Sequence, residues 1–313
     1  MKVLVTGAAG FIGSNVVKLL ESKGAKVLAL DDFSHADYKN LIGIKADVVA
    51  GDIRDPGIYA KLPKIEAVIH EAAITDTLLK DDTRMMTVNL EGTRNVLNFC
   101  LRKKIRLVYA SSAATYGDGA SPMKETQSPR PLNIYGYSKY RCDCLVKSVW
   151  DKKGVPLIVG LRYFNVYGPG EHHKGLAASM TYQLYCQMKA GKQPRVFKSG
   201  QQKRDFIYVK DVARITVSAL QLKGSTILNV GTGKPGSFND MIAYLNKALN
   251  IDRQAYYFDN PYVGLYQDET CADTAQLDKL GLSAQYSFGE GVADYVLNHL
   301  EHKYDKKSSF SRR

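Results

Sequence analysis

No run of apolar residues in this chain approaches the roughly 20 that a membrane span requires, so no membrane partner is expected. Nothing resembling a cleaved leader precedes the first apolar run, which starts at Lys2, and cytoplasmic residence is the expectation. Cysteines are few: Cys100, Cys142, Cys144, Cys186 and Cys271 are odd in number and scattered, which argues against a disulfide framework. No Cys/His spacing matches a zinc site, and no metal is expected. Internal repeats and low-complexity segments are also missing. Acidic residues are in deficit, 31 against 43 Lys and Arg, for a net charge of +12. The segment 303–313 carries five of the basic residues and one Asp, and reads as a disordered basic tail. The remaining charge is dispersed, without a basic run or basic–aromatic alternation. That distribution suits steering of a dianionic small ligand better than nucleic-acid binding.

What is present is an ordinary soluble composition, 45% hydrophobic and 24% charged, in 313 residues, enough for a large core. Apolar runs at Lys2–Thr6, 25–30, 47–51, Ala67–His70, 105–111 and 155–162 alternate with helical periodicity over 14–20, 81–103 and 135–153. Alternating βα units with apolar strands predict a Rossmann-type α/β fold, a doubly wound parallel sheet. Ligands of such sheets sit at the C-terminal strand ends. After about residue 165 the rhythm loosens, and Tyr, Gly, Lys and Gln become frequent. The expected division is a dinucleotide-binding domain over 1–165 and a smaller α/β substrate-binding region over 166–302, with some of its segments returning to the sheet.

The first thirteen residues carry the strongest local signal. The Lys2–Thr6 run breaks at Gly7, and Gly10 and Gly13 follow before a helical period. A strand, a glycine turn and a helix start make an anion site: the glycines admit a pyrophosphate and the free helix N–H groups face it. The spacing is G-x-x-G-x-x-G, which alone is also compatible with a bare tight turn. Asp31 and Asp32 then end the second run, about 20 residues after the glycines, where a ribose diol needs an acceptor. Two adjacent carboxylates repel a 2′-phosphate and favour NAD. Lys39 offsets part of that charge and leaves NADP as the alternative cofactor.

Tyr135 and Lys139 are four apart on a predicted helix and share a face. Ser111 and Ser112 close the fifth strand. A phenol, an ammonium and a hydroxyl could thus converge beside a nicotinamide, although a Tyr and a Lys four apart are also compatible with a plain surface pair. To act as a base near neutral pH a tyrosine must lose about three units from a pKa of about 10, roughly 4 kcal/mol. Lys139 and an oxidised nicotinamide are two positive charges able to supply it.

The glycine pattern, Ser111-Ser112 and the Tyr135/Lys139 pair resemble the extended short-chain dehydrogenase/reductases, the group of nucleotide-sugar epimerases and dehydratases. Within it, Ala110–Gly117, Pro131–Lys139, Arg162–Pro169, His173-Lys174-Gly175 and Lys203–Tyr208 resemble the epimerases of ADP-linked glycero-manno-heptose. The resemblance implies inversion of a sugar carbinol by transient oxidation on a tightly bound nicotinamide, with Tyr135 and Lys174 as acid/bases on the two faces and Ser112 holding the sugar hydroxyl. It implies that Phe11, Ile12, Asp52, Ile53, Ala72, Ala73, Asn89 and Val166 line the cofactor. It places Asn165, Gln183, Phe197, Arg204 and Tyr266 on the substrate side, with Arg204 matched to a diphosphate. Relatives self-associate, so a homo-oligomer is expected. UDP-glucose/UDP-galactose 4-epimerase is the rival, needing Tyr135 but not Lys174. A non-catalytic dinucleotide sensor is a third reading. Ala113-Ala114 stand where a 4,6-dehydratase carries its acid–base pair, which argues against elimination.

Overall fold

The computed structural model describes residues 1–77, 79–259 and 269–302. Its strands are β1 Lys2–Thr6, β2 Lys26–Asp31, β3 Asp47–Ala50, β4 Ala67–His70, β5 Arg106–Ser112, β6 Ile158–Tyr163, β7 Asn165–Tyr167, β8 Arg195–Phe197, β9 Lys203–Arg204, β10 Phe206–Tyr208, β11 Thr226–Val230, β12 Gly236–Ser237 and β13 Tyr256–Phe258. Its α-helices are α1 Phe11–Ser22, α2 Asp82–Met86, α3 Gly92–Lys103, α4 Ile134–Trp150, α5 Met180–Lys189, α6 Val209–Ala219, α7 Phe238–Leu249, α8 Ala275–Lys279 and α9 Phe288–Tyr295.

Seven strands form one parallel sheet in the order β3-β2-β1-β4-β5-β6-β11. The apolar residues of these strands explain it. In β1, Val3 and Val5 pack with Val16, Val17 and Leu20 of α1 and Ile215 of α6. Leu4, on the opposite face, packs with Val96, Leu97 and Phe99 of α3 and Val146 of α4. With both faces covered, the strands need no polar alternation. Chain order reverses between β1 and β4, which opens a crevice above their C-terminal ends. The seventh strand, β11, comes from the second half of the chain and pairs with β6.

Several boundaries differ from the sequence reading. The first helix starts at Phe11, not Ser14, because the Ser14 N–H already donates to Gly10 O, at 3.2 Å. The long helix expected over 81–103 is interrupted by a π-turn at Thr87–Glu91. The sixth strand starts at Ile158 rather than 155, since Pro156 lacks an N–H for the ladder.

Beyond the sheet, strands pair only in twos, β7 with β10, β9 with β12 and β8 with β13 among the described residues, and aromatic packing supplements them. Phe206 stacks on Phe288 at 4.6 Å, and Tyr167 meets Phe288 edge-on at 5.6 Å. Leu184, Met188, Met241, Leu245 and Val292 complete this second core, and Phe11 of α1 joins it. Among the described residues no helix is long and apolar enough to cross a membrane. The expected tail, 303–313, lies outside the described residues.

Candidate active site

A cleft of about 730 Å³ lies over the C-terminal ends of β1, β2, β4, β5 and β6. Its floor at one end is the glycine turn. Gly7 has φ +66°, and a Cβ there would stand 2.6 Å from Ala72 N. A Cβ at Gly13 would stand 2.0 Å from Gly7 O. Glycine is therefore required by contact at both positions. Gly10 is the N-cap of α1 and has no side chain to cover the first-turn N–H groups, which leaves them for an anion.

Asp31 closes the turn from below. Its Oδ2 accepts from Ala9 N at 2.9 Å and its Oδ1 from Phe33 N at 2.9 Å. Burial pushes its carboxyl above the usual range, and these backbone donors oppose the shift. Asp32 is exposed and accepts from Ser34 N and Ser34 Oγ at 2.9 and 2.7 Å. Both carboxylates line the cleft, together with Phe11, Ile12, Ile53, Ala72, Ala73 and Val166.

At the other end α4 presents Tyr135 and Lys139. Asn133 caps this helix by accepting from Gly136 N at 2.9 Å, which fixes Tyr135 in its first turn. Lys139 is 4% exposed, and its Nζ donates to Ala110 O at 2.9 Å. Ser112 ends β5, and its Oγ accepts from Ala114 N at 3.1 Å. The neighbouring Ser111 Oγ is buried on the cleft wall without a hydrogen-bond partner among the described residues. A bare helix start, a diol acceptor and an orphaned hydroxyl suit one extended dinucleotide.

Lys174 reaches the same cleft from the 3₁₀ segment His172–Ala177. Its Nζ lies 5.7 Å from the centre of the Phe11 ring. Burial pushes its ammonium below the usual lysine range, and the nearby charges of Glu171 and Asp76 oppose this. Tyr135, Lys139, Ser112, Lys174 and Asn165 thus share one cavity.

A family model described as the NAD dependent epimerase/dehydratase family matches residues 3–231. The chain belongs to that family. It is an NAD-dependent nucleotide-sugar epimerase, an isomerase. Among solved structures it is similar to the Helicobacter pylori ADP-L-glycero-D-manno-heptose-6-epimerase, at 34% identity over 95% of each chain, TM-score 0.88. It is also similar to the Thermotoga maritima UDP-glucose 4-epimerase with UDP-glucose, at 27% identity over 98% of this chain and 99% of that one, TM-score 0.89. The Thermus thermophilus UDP-glucose 4-epimerase, a complex with NAD, shares 28% identity over 95% and 98%, TM-score 0.85.

In this epimerase some residues expected at the site stand back from the cleft. Asn89, in the π-turn, is buried: its Oδ1 accepts from Ile74 N at 2.8 Å and its Nδ2 donates to Ser138 Oγ at 2.9 Å. It fastens the loop after β4 to α4. Asp52 is bound by the Arg54 guanidinium, whose hydrogen bond holds its carboxyl below the usual range. The Lys39 N–H donates to Asp37 Oδ1 at 2.9 Å. Gln183 Nε2 donates to Leu176 O and Ala178 O at 3.0 and 2.8 Å, holding the segment that carries Lys174. Phe197 packs edge-on against Phe258 at 5.0 Å, and Arg204 Nη1 donates to Lys203 O at 2.9 Å. Tyr266 lies outside the described residues.

Three residues that the sequence reading passed over matter here. Glu71 and Tyr163 line the cleft and are hydrogen-bonded to each other at 2.7 Å. Asn40 is buried, and its Nδ2 donates to Ala9 O and to Gly170 O, both at 3.0 Å. Glu71 follows the end of β4 just as Asp32 follows that of β2, so the strand-end rule could have found it. Asn40 left no local signal.

Proposed function

We propose that this enzyme inverts C6 of an ADP-linked glycero-manno-heptose with Tyr135 and Lys174 as two acid/bases. The observation that carries the reading is a second titratable amine, Lys174, in the cavity of Tyr135 and depressed by burial. Bound NAD supplies a hydride acceptor that later returns the hydride. Around it, Tyr135 takes the hydroxyl proton from one side of the sugar, with its anion favoured by Lys139. Ser112 holds the carbonyl oxygen while the flat keto-sugar presents its other face. Lys174 then serves the second face, and its lowered proton affinity suits an amine that must lose its proton to act. Similarity to the Helicobacter pylori enzyme supports the choice of sugar.

Within the proposal, the glycine turn, Asp31, Asp32, Ile53, Ala72, Ala73 and Val166 hold the dinucleotide. Lys39 and Asp52 act from beside it. Asn165 faces the nucleotide-linked sugar from the cleft wall, Phe197 and Arg204 would meet its nucleotide only outside that cleft, and Gln183 sets the Lys174 segment. Self-association and cytoplasmic residence belong to the same reading.

A UDP-sugar 4-epimerase is the second reading, favoured by the similarity to the Thermotoga maritima enzyme. It leaves Lys174 without a task. Separate incubation with ADP-heptose and UDP-glucose, with the epimers resolved by NMR, decides between them. Inversion of ADP-heptose at C6 is expected. A product from UDP-glucose alone overturns the heptose reading.

A further inference from the structure

The half-buried carboxylate of Glu71 is not used by the chemistry above. It follows β4 and lines the cleft. Its Oε1 accepts from the Tyr163 hydroxyl of β6 at 2.7 Å, and that hydroxyl also meets Thr216 Oγ1 of α6 at 2.8 Å. Lys139 of α4 acts on it through space, its own Nζ being bonded to Ala110 O. His70, the preceding residue, is held between Thr6 Oγ1 and Thr93 Oγ1 at 2.7 and 3.0 Å and is kept neutral by burial.

The cleft fixes which end of a dinucleotide meets this group. The diol acceptor Asp31 ends β2 and the anion-binding turn follows β1. The nicotinamide half must therefore lie over β4, β5 and β6, beside Tyr135 and Lys139, where Glu71 and Tyr163 form part of the lining. We propose that Glu71 is the anionic counter-group to the oxidised nicotinamide ring and sets the balance between the oxidised and reduced forms of the bound cofactor.

The charge arithmetic gives the direction. The carbinol carbon surrenders a hydride, two electrons with one proton, and the hydroxyl proton passes to a base. The sugar becomes a ketone, and the cationic ring becomes neutral on reduction. Both transfers reverse when the second epimer forms. A carboxylate nearby favours the cationic ring, so it keeps the resting enzyme oxidised and drives hydride back onto the ketone. The carboxyl of Glu71 is pushed up to about 7 by burial, against the opposing Tyr163 hydrogen bond and Lys139 charge. The preference for the oxidised ring should then strengthen as pH rises through neutrality. This inference needs the NAD site alone and holds whichever sugar is inverted.

The test is titration of the purified protein with NAD and with NADH from pH 6 to 8.5, read by nicotinamide fluorescence and competition. Glu71→Gln should lower the preference for NAD over NADH about tenfold, equivalent to about 30 mV upward in the bound cofactor's two-electron potential. The preference should grow with pH in the wild type and stay flat in Glu71→Gln. Tyr163→Phe keeps the carboxylate but removes a hydrogen bond that favours its anion, and should move the rise to higher pH. Equal preferences in wild type and Glu71→Gln overturn the proposal. Should Glu71→Gln fail to fold, a flat wild-type profile, or a Tyr163→Phe profile that does not move, overturns it equally.

Discussion

Gly7→Ala isolates the physical requirement of the cofactor turn. The residue has φ +66°, where a Cβ costs an L-residue about 1–2 kcal/mol. The added carbon would also stand 2.6 Å from Ala72 N, 2.7 Å from Ala72 Cα and 2.8 Å from Glu71 C. All three are backbone, so no side chain can swing aside, and relieving such overpacking costs about 1–3 kcal/mol more. The sum, about 2–5 kcal/mol, is a large part of a typical folding free energy of about 5–15 kcal/mol. Gly24→Ala is the matched control. It has φ +76° with nothing within 4 Å of its Cβ, and so carries the dihedral cost alone. Urea unfolding of both variants gives the stabilities, and titration with NAD gives the affinities. We expect Gly7→Ala to fall below Gly24→Ala by about 1–3 kcal/mol and to bind NAD at least tenfold more weakly. Equal stabilities, with NAD affinity unchanged in Gly7→Ala, would refute the close approach of the turn to the β4 loop.

Other consequences are equally open to measurement. Lys174→Ala should abolish inversion while the protein still exchanges hydride between NAD and one epimer, seen as isotope transfer at the carbinol carbon; full epimerisation defeats the two-base reading. Tyr135→Phe should lower kcat by at least about 10²-fold, the usual scale for a positioned acid/base, with NAD affinity little changed. Asn89→Ala removes the bonds to Ile74 N and Ser138 Oγ. It leaves buried partners unpaired, so a loss of about 1–3 kcal/mol is expected in chemical denaturation, with weaker NAD binding. His70 is held down to about 3 by burial and, secondarily, by the charge of Lys139. The unfolded chain then binds a proton that the fold refuses between that value and about 6.5. Stability is full above pH 6.5 and falls as the medium is acidified through that window, by up to about 1.4 kcal/mol per pH unit from this residue. Glu71, pushed up to about 7, contributes the opposite slope over much of that window, so unfolding midpoints at pH 4, 5, 6 and 7 are compared between wild type and His70→Gln, and equal slopes in the two would show that His70 is protonated in the fold.

The parts of this molecule legible in its sequence are those whose physics is local. A glycine turn is legible at Gly7 because a positive φ and a backbone contact admit no other residue. Parallel strands such as Val3–Val5 are legible because burial on both faces forbids polar alternation. Tyr135 and Lys139 are legible because a helix places residues four apart on one face. The π-turn at Thr87–Glu91 is not, since its Asn89 is held by non-local bonds, accepting from Ile74 N 15 residues back and donating to Ser138 Oγ 49 residues ahead. The same holds for Asn40, whose single amide joins Ala9 and Gly170 across 31 and 130 residues. Through that amide, and through His172 meeting Asp37 Oδ2 at 2.9 Å, the loop after β2 is tied to the segment bearing Lys174. The side chains that would perform the chemistry are thus announced by short-range pattern, while those that hold them in register are set by contacts distant in sequence. Gln183 makes the distinction concrete: placed by resemblance on the substrate side, its amide is spent on Leu176 O and Ala178 O. Its replacement would therefore first loosen the segment that carries Lys174.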